Sequence, residues 1–151
     1  MMKPEPPMGL LLRLAHTRAS KSFAAALRPF GIDGRHFGVL FSIGRGGPMS
    51  QRQLIDAIDS DKSSMVRIID ELEGRELVLR RPAEGDRRAY AVELTDSGRA
   101  MLATASELAE QLGGQLLSCF DEQEQSTFKT LLARFVAAGP PGSRPEESPS
   151  R

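Results

Sequence analysis

Apolar residues recur at intervals of three and four over most of the chain, which is the spacing of amphipathic helices. The first predicted helix covers about residues 8–28 and is stopped by the proline and the glycine that follow it. A second helix is predicted from its N-cap, Asp33, to about Ile43. Its core-facing side chains are expected to be Phe37, Leu40 and Phe41.

A third, short helix begins with a capping box, in which the Ser50 hydroxyl accepts a backbone N–H and the Gln53 side chain reaches back. We expect this helix to bury Leu54, Ala57 and Ile58.

The fourth predicted helix, over about residues 60–75, has the clearest periodicity in the chain. Apolar residues at i, i+3, i+4 and i+7 commit one face to the core, namely Met65, Ile68, Ile69 and Leu72. The opposite face is free to meet a partner and presents Lys62, Ser63, Val66, Arg67 and Asp70.

Two strand-like runs follow, over residues 77–81 and 89–94, and a glycine turn between them carries Asp86, Arg87 and Arg88 at its tip. An α-helix fits the major groove of DNA, and an exposed arginine on a thin ribbon can reach the narrow minor groove. A helix followed by a cationic hairpin is the order of a winged helix-turn-helix.

Thr95 is a good N-cap for a long fifth helix, which Gly113 and Gly114 are expected to kink or break. Asp121 opens a last helix that extends to about residue 138. The proline-rich residues 1–7 and the tail 139–151 are predicted to be disordered.

The helices at both ends carry more apolar surface than a small central winged helix can cover, so we expect them to pack against a second copy. The predicted fold class is mainly α with a small β-wing. Within a domain covering residues 8–138, a winged helix-turn-helix at about 34–95 is flanked by dimerisation helices at about 8–28 and 96–138.

Composition narrows the class of protein. Twenty Lys and Arg balance twenty Asp and Glu, so any attraction to DNA must come from a local patch, such as the arginines around the hairpin. A single cysteine excludes an intramolecular disulfide and is typical of a reducing compartment. Because no apolar run is long enough to be a signal peptide or a membrane span, we expect a cytoplasmic protein with no membrane partner.

The chain resembles the MarR (multiple antibiotic resistance regulator) family of transcription factors in three segments. They are residues 63–72, the first wing strand at 77–81, and Asp86-Arg87-Arg88 followed by residues 92–95 and Gly98. Glu76 stands where the family usually has glycine, which predicts a differently shaped turn before the wing. Val66 stands where a small hydroxyl residue is common, which predicts either a contact with a thymine methyl group or an altered base preference.

The resemblance implies roles for single residues. The polar face of the fourth helix would enter the major groove, which assigns DNA binding to Lys62, Ser63, Ser64, Val66 and Arg67. The wing would reach the minor groove through Arg87 and Arg88, while Asp86 braces it. A solvated surface with local salt bridges explains each arginine taken singly, but not the whole arrangement.

The resemblance also implies a small-molecule effector, often aromatic or phenolic, in a cleft between the dimerisation helices and the winged helix. The candidate pocket residues are His16, His36 and Phe41. A half-buried histidine with a backbone partner is an equally good explanation for either histidine.

Catalysis and metal binding find little support. The chain has no glycine-rich phosphate loop, no nucleophile elbow and no cluster of His, Cys and carboxylate residues at metal-ligand spacing, so no catalytic residue, metal or cofactor is expected. Cys119 has no cationic neighbour in the sequence, which favours a packed interior thiol over a redox sensor.

The sequence therefore predicts a homodimeric regulator of transcription that binds a palindromic operator in double-stranded DNA. We expect a repressor that a small effector releases from DNA. The alternative is a protein-interaction or scaffold dimer that keeps the winged helix without binding DNA, since the net charge is zero.

Overall fold

A computed structural model describes residues 4–139 as six α-helices, a short 3₁₀ turn and one two-stranded antiparallel sheet. The elements are α1 (Met8–Leu27), the 3₁₀ turn (Arg28–Phe30), α2 (Gly34–Gly46), α3 (Gln51–Ile58), α4 (Lys62–Gly74), β1 (Val78–Ala83), β2 (Asp86–Leu94), α5 (Asp96–Leu116) and α6 (Glu122–Ala137). The predicted fold class, mainly helical with a small β-wing, is confirmed. Residues 1–3 and 140–151, which belong to the two termini predicted to be disordered, lie outside the described residues.

The chain divides into two compact units, and the division falls within α5, between Leu112 and Gly113. The first unit holds one hydrophobic core, to which α2, α3, α4, both strands and the start of α5 contribute. The side chains of Val39, Leu40, Leu54 and Val92 are completely buried in it. The apolar face of α4 lies in the same core, as its periodicity predicted.

The predicted buried faces of α2 and α3 are partly wrong. Phe41 is 46% exposed, and Val39 and Ile43 fill the core instead. Ala57 is exposed, while Ile55 is partly buried against the core. The cause is the packing of each helix on several neighbours, which rotates the buried stripe away from the face that spacing alone selects.

The two strands are longer than predicted, and residues 86–88 begin β2 instead of forming the tip of the hairpin. The tip is a turn around Gly85, whose φ of 82° places it in the left-handed region that glycine tolerates. On its other side β2 pairs with Met49, whose N–H and carbonyl both bond to Val92. This isolated bridge ties the α2–α3 linker to the wing.

The turn between α4 and β1 is a Schellman motif with glutamate in the usual glycine position. Glu76 has a φ of 57°, and the N–H groups of Glu76 and Leu77 donate to the carbonyls of Glu73 and Leu72. The differently shaped turn predicted from Glu76 is therefore absent here, because this glutamate adopts the conformation that glycine favours.

The second unit contains the end of α5 and all of the last helix, α6. Of the kink or break expected at Gly113 and Gly114, the break is absent, because α5 continues through both glycines to Leu116. The expectation of a packed Cys119 is wrong, because its thiol is exposed in the stretch between α5 and α6.

Candidate nucleic-acid interface

Helix α4 is held at its N-terminus by Asp61, whose carboxylate accepts hydrogen bonds from the backbone N–H and the hydroxyl of Ser64 at 2.8 and 2.7 Å. These bonds, the backbone bond first, lower the pKa of Asp61 below its usual 3.8, so the cap is ionised at neutral pH. With Met65, Ile68, Ile69 and Leu72 in the core, the first turn and the polar face of the helix are fixed toward solvent.

The polar face of α4 places the predicted DNA-binding residues as follows. Lys62, Ser63 and Arg67 are exposed, and the Val66 side chain is 36% exposed. The Arg67 guanidinium is 3.9 Å from the carboxylate of Glu71 one turn later, at a site open to solvent. Ser64 differs from the others, because it is only half-exposed and its hydroxyl already donates to Asp61.

The wing carries the second group of predicted contacts. The strands keep regular register from Val78 opposite Leu94 to Pro82 opposite Tyr90, and then Ala83 lies opposite Asp86. Residues 87–89 are the excess on β2 and form a bulge, a feature that often re-aims side chains near a functional site. Both arginines in this bulge are exposed, and the described residues offer neither of them an ion-pair partner.

Asp86 lies directly before the two arginines at the base of the bulge. Its carboxylate accepts the backbone N–H of Arg88 at 2.9 Å. This bond acts on the backbone and leaves both guanidinium groups free, which is the arrangement that a bracing role requires.

Arg80, for which the sequence predicts no specific role, joins the wing to α4. Its guanidinium bonds to Asp70 at 2.5 Å and also contacts the carboxylate of Glu73. The guanidinium also lies 5.6 Å from the ring centroid of Tyr90 on β2. Partial burial would lower the pKa of Arg80, but the hydrogen bond to Asp70 and the charge of Glu73 outweigh it and raise the pKa.

Ion pairing separates the cations of the wing and its neighbouring helices into two groups. Arg80 is neutralised by α4, Arg81 pairs with Glu93, and Arg99 pairs with Asp96. The arginines of the bulge and Lys62 keep their charge unpaired within the described part of the chain. Among the cations of α4 and the wing, those without an ion-pair partner in the described residues lie on the first turn of α4 and in the bulge.

The three predicted effector-pocket residues lie on α1 and α2. His16 is exposed on α1, where its ring is 3.2 Å from the Ser20 hydroxyl. His36 closes the capping box at the start of α2 with Asp33, and its ring also contacts Glu71. Phe41 is exposed beside Phe37, with ring centroids 5.8 Å apart.

A cavity of about 470 Å³ lies elsewhere in the first unit, between the end of α2, the end of β2 and α5. Ile43, Leu94 and Leu102 form its apolar part, and Arg99 and Glu93 add charged groups. A Cβ on Gly44 would lie 2.3 Å from the Cδ2 atom of Leu102, so the Leu102 side chain would have to move into the cavity. The cavity opens next to the strand that carries the bulge.

Two further findings concern other classes of site. The described residues contain no group of three or more His, Cys, Asp and Glu side chains placed to hold a metal ion. None of the helices in residues 4–139 is both long enough and apolar enough to cross a membrane.

The chain is similar in sequence to bacterial regulators of known family. A sequence profile described as "MarR family" matches residues 30–89, from the 3₁₀ turn to the bulge of the wing. The transcriptional repressor NicR of Pseudomonas putida is 32% identical over 129 residues, which cover 85% of this chain and 82% of NicR. The chain belongs to the MarR family. The regulator PecS of Dickeya dadantii is 31% identical over 106 residues, covering 68% of this chain and 64% of PecS.

Solved structures of MarR proteins share the fold. MarR of E. coli without ligand superposes with a TM-score of 0.79 at 25% identity, over 88% of this chain and 99% of that protein. A mutant E. coli MarR in complex with operator DNA gives a TM-score of 0.75 at 25% identity, over 86% of this chain and 94% of that protein. The winged helix-turn-helix architecture of this MarR-family chain is thereby confirmed.

Family membership establishes the general function. The chain is a DNA-binding transcriptional regulator of the MarR family and not an enzyme. Family membership also argues against the alternative of a scaffold protein that keeps the winged helix without binding DNA. Assembly, effector and the roles of single residues belong to the proposal that follows.

Proposed function

We propose that this MarR-family protein is a homodimeric repressor that reads a palindromic operator with α4 in the major groove and the wing in the minor groove. The observation that carries the proposal is the division of the cations described above. The exposed cations are Lys62 and Arg67 on the polar face of α4 and Arg87 in the bulge. In contrast, Arg80 forms ion pairs that join β1 to α4. The ion pair of Arg80 with α4 supports a wing that is held beside the helix, with Arg87 and Arg88 of the wing free to contact DNA.

The two DNA-reading parts would play different roles. Arg67 projects from the helix face and has the two-pronged donor geometry that binds guanine. Arg87 lies on a narrow ribbon, where groove width and phosphate charge decide affinity. Val66, at 36% exposure, offers methyl groups to a thymine.

Assembly as a dimer is supported by the exposed apolar side chains of the terminal helices. On α1, Leu11 and Leu14 are 44% and 51% exposed. On α6, Leu131 and Phe135 are 49% and 62% exposed. Monomeric proteins rarely leave such faces in water, and a second copy is the economical cover.

Selection of bound duplexes from random DNA by the full-length protein tests the proposal. We expect an inverted repeat whose half-site centres are about one helical turn, or roughly 10 base pairs, apart, because two identical winged helices are held by one dimer interface. Enrichment of a single half-site would overturn the dimer, and the absence of any enriched sequence would overturn specific operator binding. The name of the P. putida relative supports repression as the outcome of binding.

Release from DNA would follow from a small aromatic effector in the cavity between α2, β2 and α5. Its apolar lining and the neighbouring guanidinium of Arg99 suit a planar molecule with a polar group. A ligand that pushes on Leu94 acts at the end of the wing strand. It shifts the protein away from DNA only as far as it prefers the unbound geometry.

Ala103, an exposed residue at the edge of this cavity, provides the test of the effector site. A panel of small aromatic acids and phenols is screened for release of the selected duplex by the wild type. Ala103→Phe, which blocks the mouth, should bind DNA but ignore the active compound, whereas Thr104→Phe, on the next residue and outside the cavity, should respond normally. Equal responses of both variants, or no active compound, would contradict this location.

A further inference from the structure

His36 lies in the first turn of α2 and is only 12% exposed. Its Nδ1 atom is 3.1 Å from the backbone nitrogen of Asp33 and 2.9 Å from the Oδ1 atom of the same residue. The first contact suits a neutral ring that accepts the N–H, and the second suits a protonated ring that donates to the carboxylate. Nδ1 therefore has a partner in either charge state.

The other ring nitrogen connects α2 to α4. Nε2 of His36 is 2.7 Å from Oε2 of Glu71. The second oxygen of Glu71, Oε1, is 3.9 Å from Nε of Arg67 one turn earlier. One carboxylate is thus shared between the histidine and the arginine that faces DNA in the proposed function.

The charged groups around His36 come from two elements. Asp33 contributes from the cap of α2 and Glu71 from α4, with Arg67 behind it. Arg75, further along α4, is bound to the carbonyl oxygens of Gly31 and Phe30 at 2.5 and 2.7 Å. In the described residues no ion pair links His36 to a side chain of α1, α3 or β2.

Asp33 keeps its charge beside this histidine. Burial on its own would raise the pKa of Asp33, but the backbone hydrogen bond and the charge of His36, together with the N–H of Arg35, lower it below the usual 3.8. The histidine accordingly contacts two carboxylates, Asp33 at the cap of α2 and Glu71 on α4.

We propose that His36 is a positioning residue that controls, through Glu71, how freely Arg67 engages DNA, and that protonation of His36 tightens DNA binding. The inference rests on the proposed role of α4. While the ring is neutral, Glu71 keeps its charge for Arg67 and repels nearby phosphates. A protonated ring competes for Glu71 and releases Arg67 toward a base edge.

The measurement is the affinity of the full-length protein for its selected duplex, by fluorescence anisotropy at constant ionic strength. Histidines change charge between about pH 5 and 8, so affinities at about pH 6 and about pH 8 are compared. We expect binding to be roughly two- to fivefold tighter at the lower pH, which is the range for a partly exposed ion pair.

Variants locate the effect. His36→Gln keeps hydrogen-bonding capacity but cannot gain a proton, so its affinity should be the same at both pH values. Glu71→Gln and Arg67→Ala should also lose the pH effect although His36 is intact, a result that a purely structural role of the histidine in capping α2 does not predict. His16→Gln is the matched control and should keep the full pH effect, since His16 is the only other histidine and its ring contacts Ser20 within α1.

Circular dichroism at both pH values first confirms that each variant is folded, and Glu71→Gln carries the test if His36→Gln is not. Equal wild-type affinity at both pH values overturns the inference alone. A pH effect that persists in His36→Gln, Glu71→Gln or Arg67→Ala does the same. Failure of the wild type to bind any duplex at either pH overturns the proposed function, and the inference with it.

Discussion

Gly98 lies at the junction of the wing and α5, where no space is left for a side chain. A Cβ at this position would be 1.9 Å from the carbonyl oxygen of Leu77. The backbones approach because Thr95 binds both sides of the junction. Its hydroxyl accepts the N–H of Gly98 at 2.9 Å and donates to the carbonyl of Glu76 at 2.6 Å. The junction sets where the base of the wing meets the rest of the first unit.

Gly98→Ala should therefore destabilise the protein by about 2–3 kcal/mol, since the methyl group meets backbone and not a flexible side chain. Gly74→Ala is the matched control, because nothing lies within 4 Å of a Cβ there and the residue is helical. Alanine should be neutral or stabilise α4 slightly at that position. Urea denaturation compares the two, and equal stabilities would show that the junction relaxes at little cost.

Single residues also show what sequence reasoning misses. The positions of Arg67 on a solvent face and of Met65 in the core follow from helical spacing, and the structure shows both. The contacts of His36 with Glu71 and of Arg80 with Asp70 join residues that are distant in sequence, 35 and 10 positions apart. Such pairs depend on tertiary geometry, so no local pattern reveals them.

At the scale of elements, helix starts are the best predicted feature. The capping box of Ser50 and Gln53 is present, and so is that of Asp121 and Glu124, because a cap depends on residues three apart in the chain. Helix ends and buried faces are less well predicted, as α2 continues through Gly44 to Gly46. Packing against neighbouring elements decides these features, and spacing alone carries no information about them.

The wing is the element whose function depends most on neighbours. The sequence indicates a cluster of arginines there, but only the fold shows which ones are already neutralised. Arg80 and Arg81 pair with carboxylates on α4 and β2, whereas Arg87 and Arg88 emerge from a bulge. A local charge count therefore overstates the cations available to DNA and hides the role of Arg80 in holding the wing.

For the whole molecule, a net charge of zero and a DNA-binding function are compatible because charge is distributed unevenly. Within α4 and the wing, acidic residues pair with Arg80 and Arg81, and the cations without an ion-pair partner in the described residues lie at the first turn of α4 and in the bulge. The exposed apolar faces of the terminal helices and the cavity support the proposed dimer and the proposed effector. In addition to the effector, the proposed role of His36 makes pH a second influence on DNA binding by α4.

The central claim is that the face of α4 and the bulge of the wing form the DNA surface, and a salt titration of the selected duplex and a scrambled duplex tests it most directly. The wild type is compared with Arg67→Ala, Arg87→Ala and Arg28→Ala, the last an exposed arginine on the 3₁₀ turn after α1 that serves as control. Arg67→Ala should lose about 1–3 kcal/mol on the selected duplex and relax the preference at one base pair per half-site. Arg87→Ala should weaken both duplexes and reduce the salt slope by roughly one per lost phosphate contact. If both variants bind like the wild type and Arg28→Ala at every salt concentration, the DNA surface lies elsewhere.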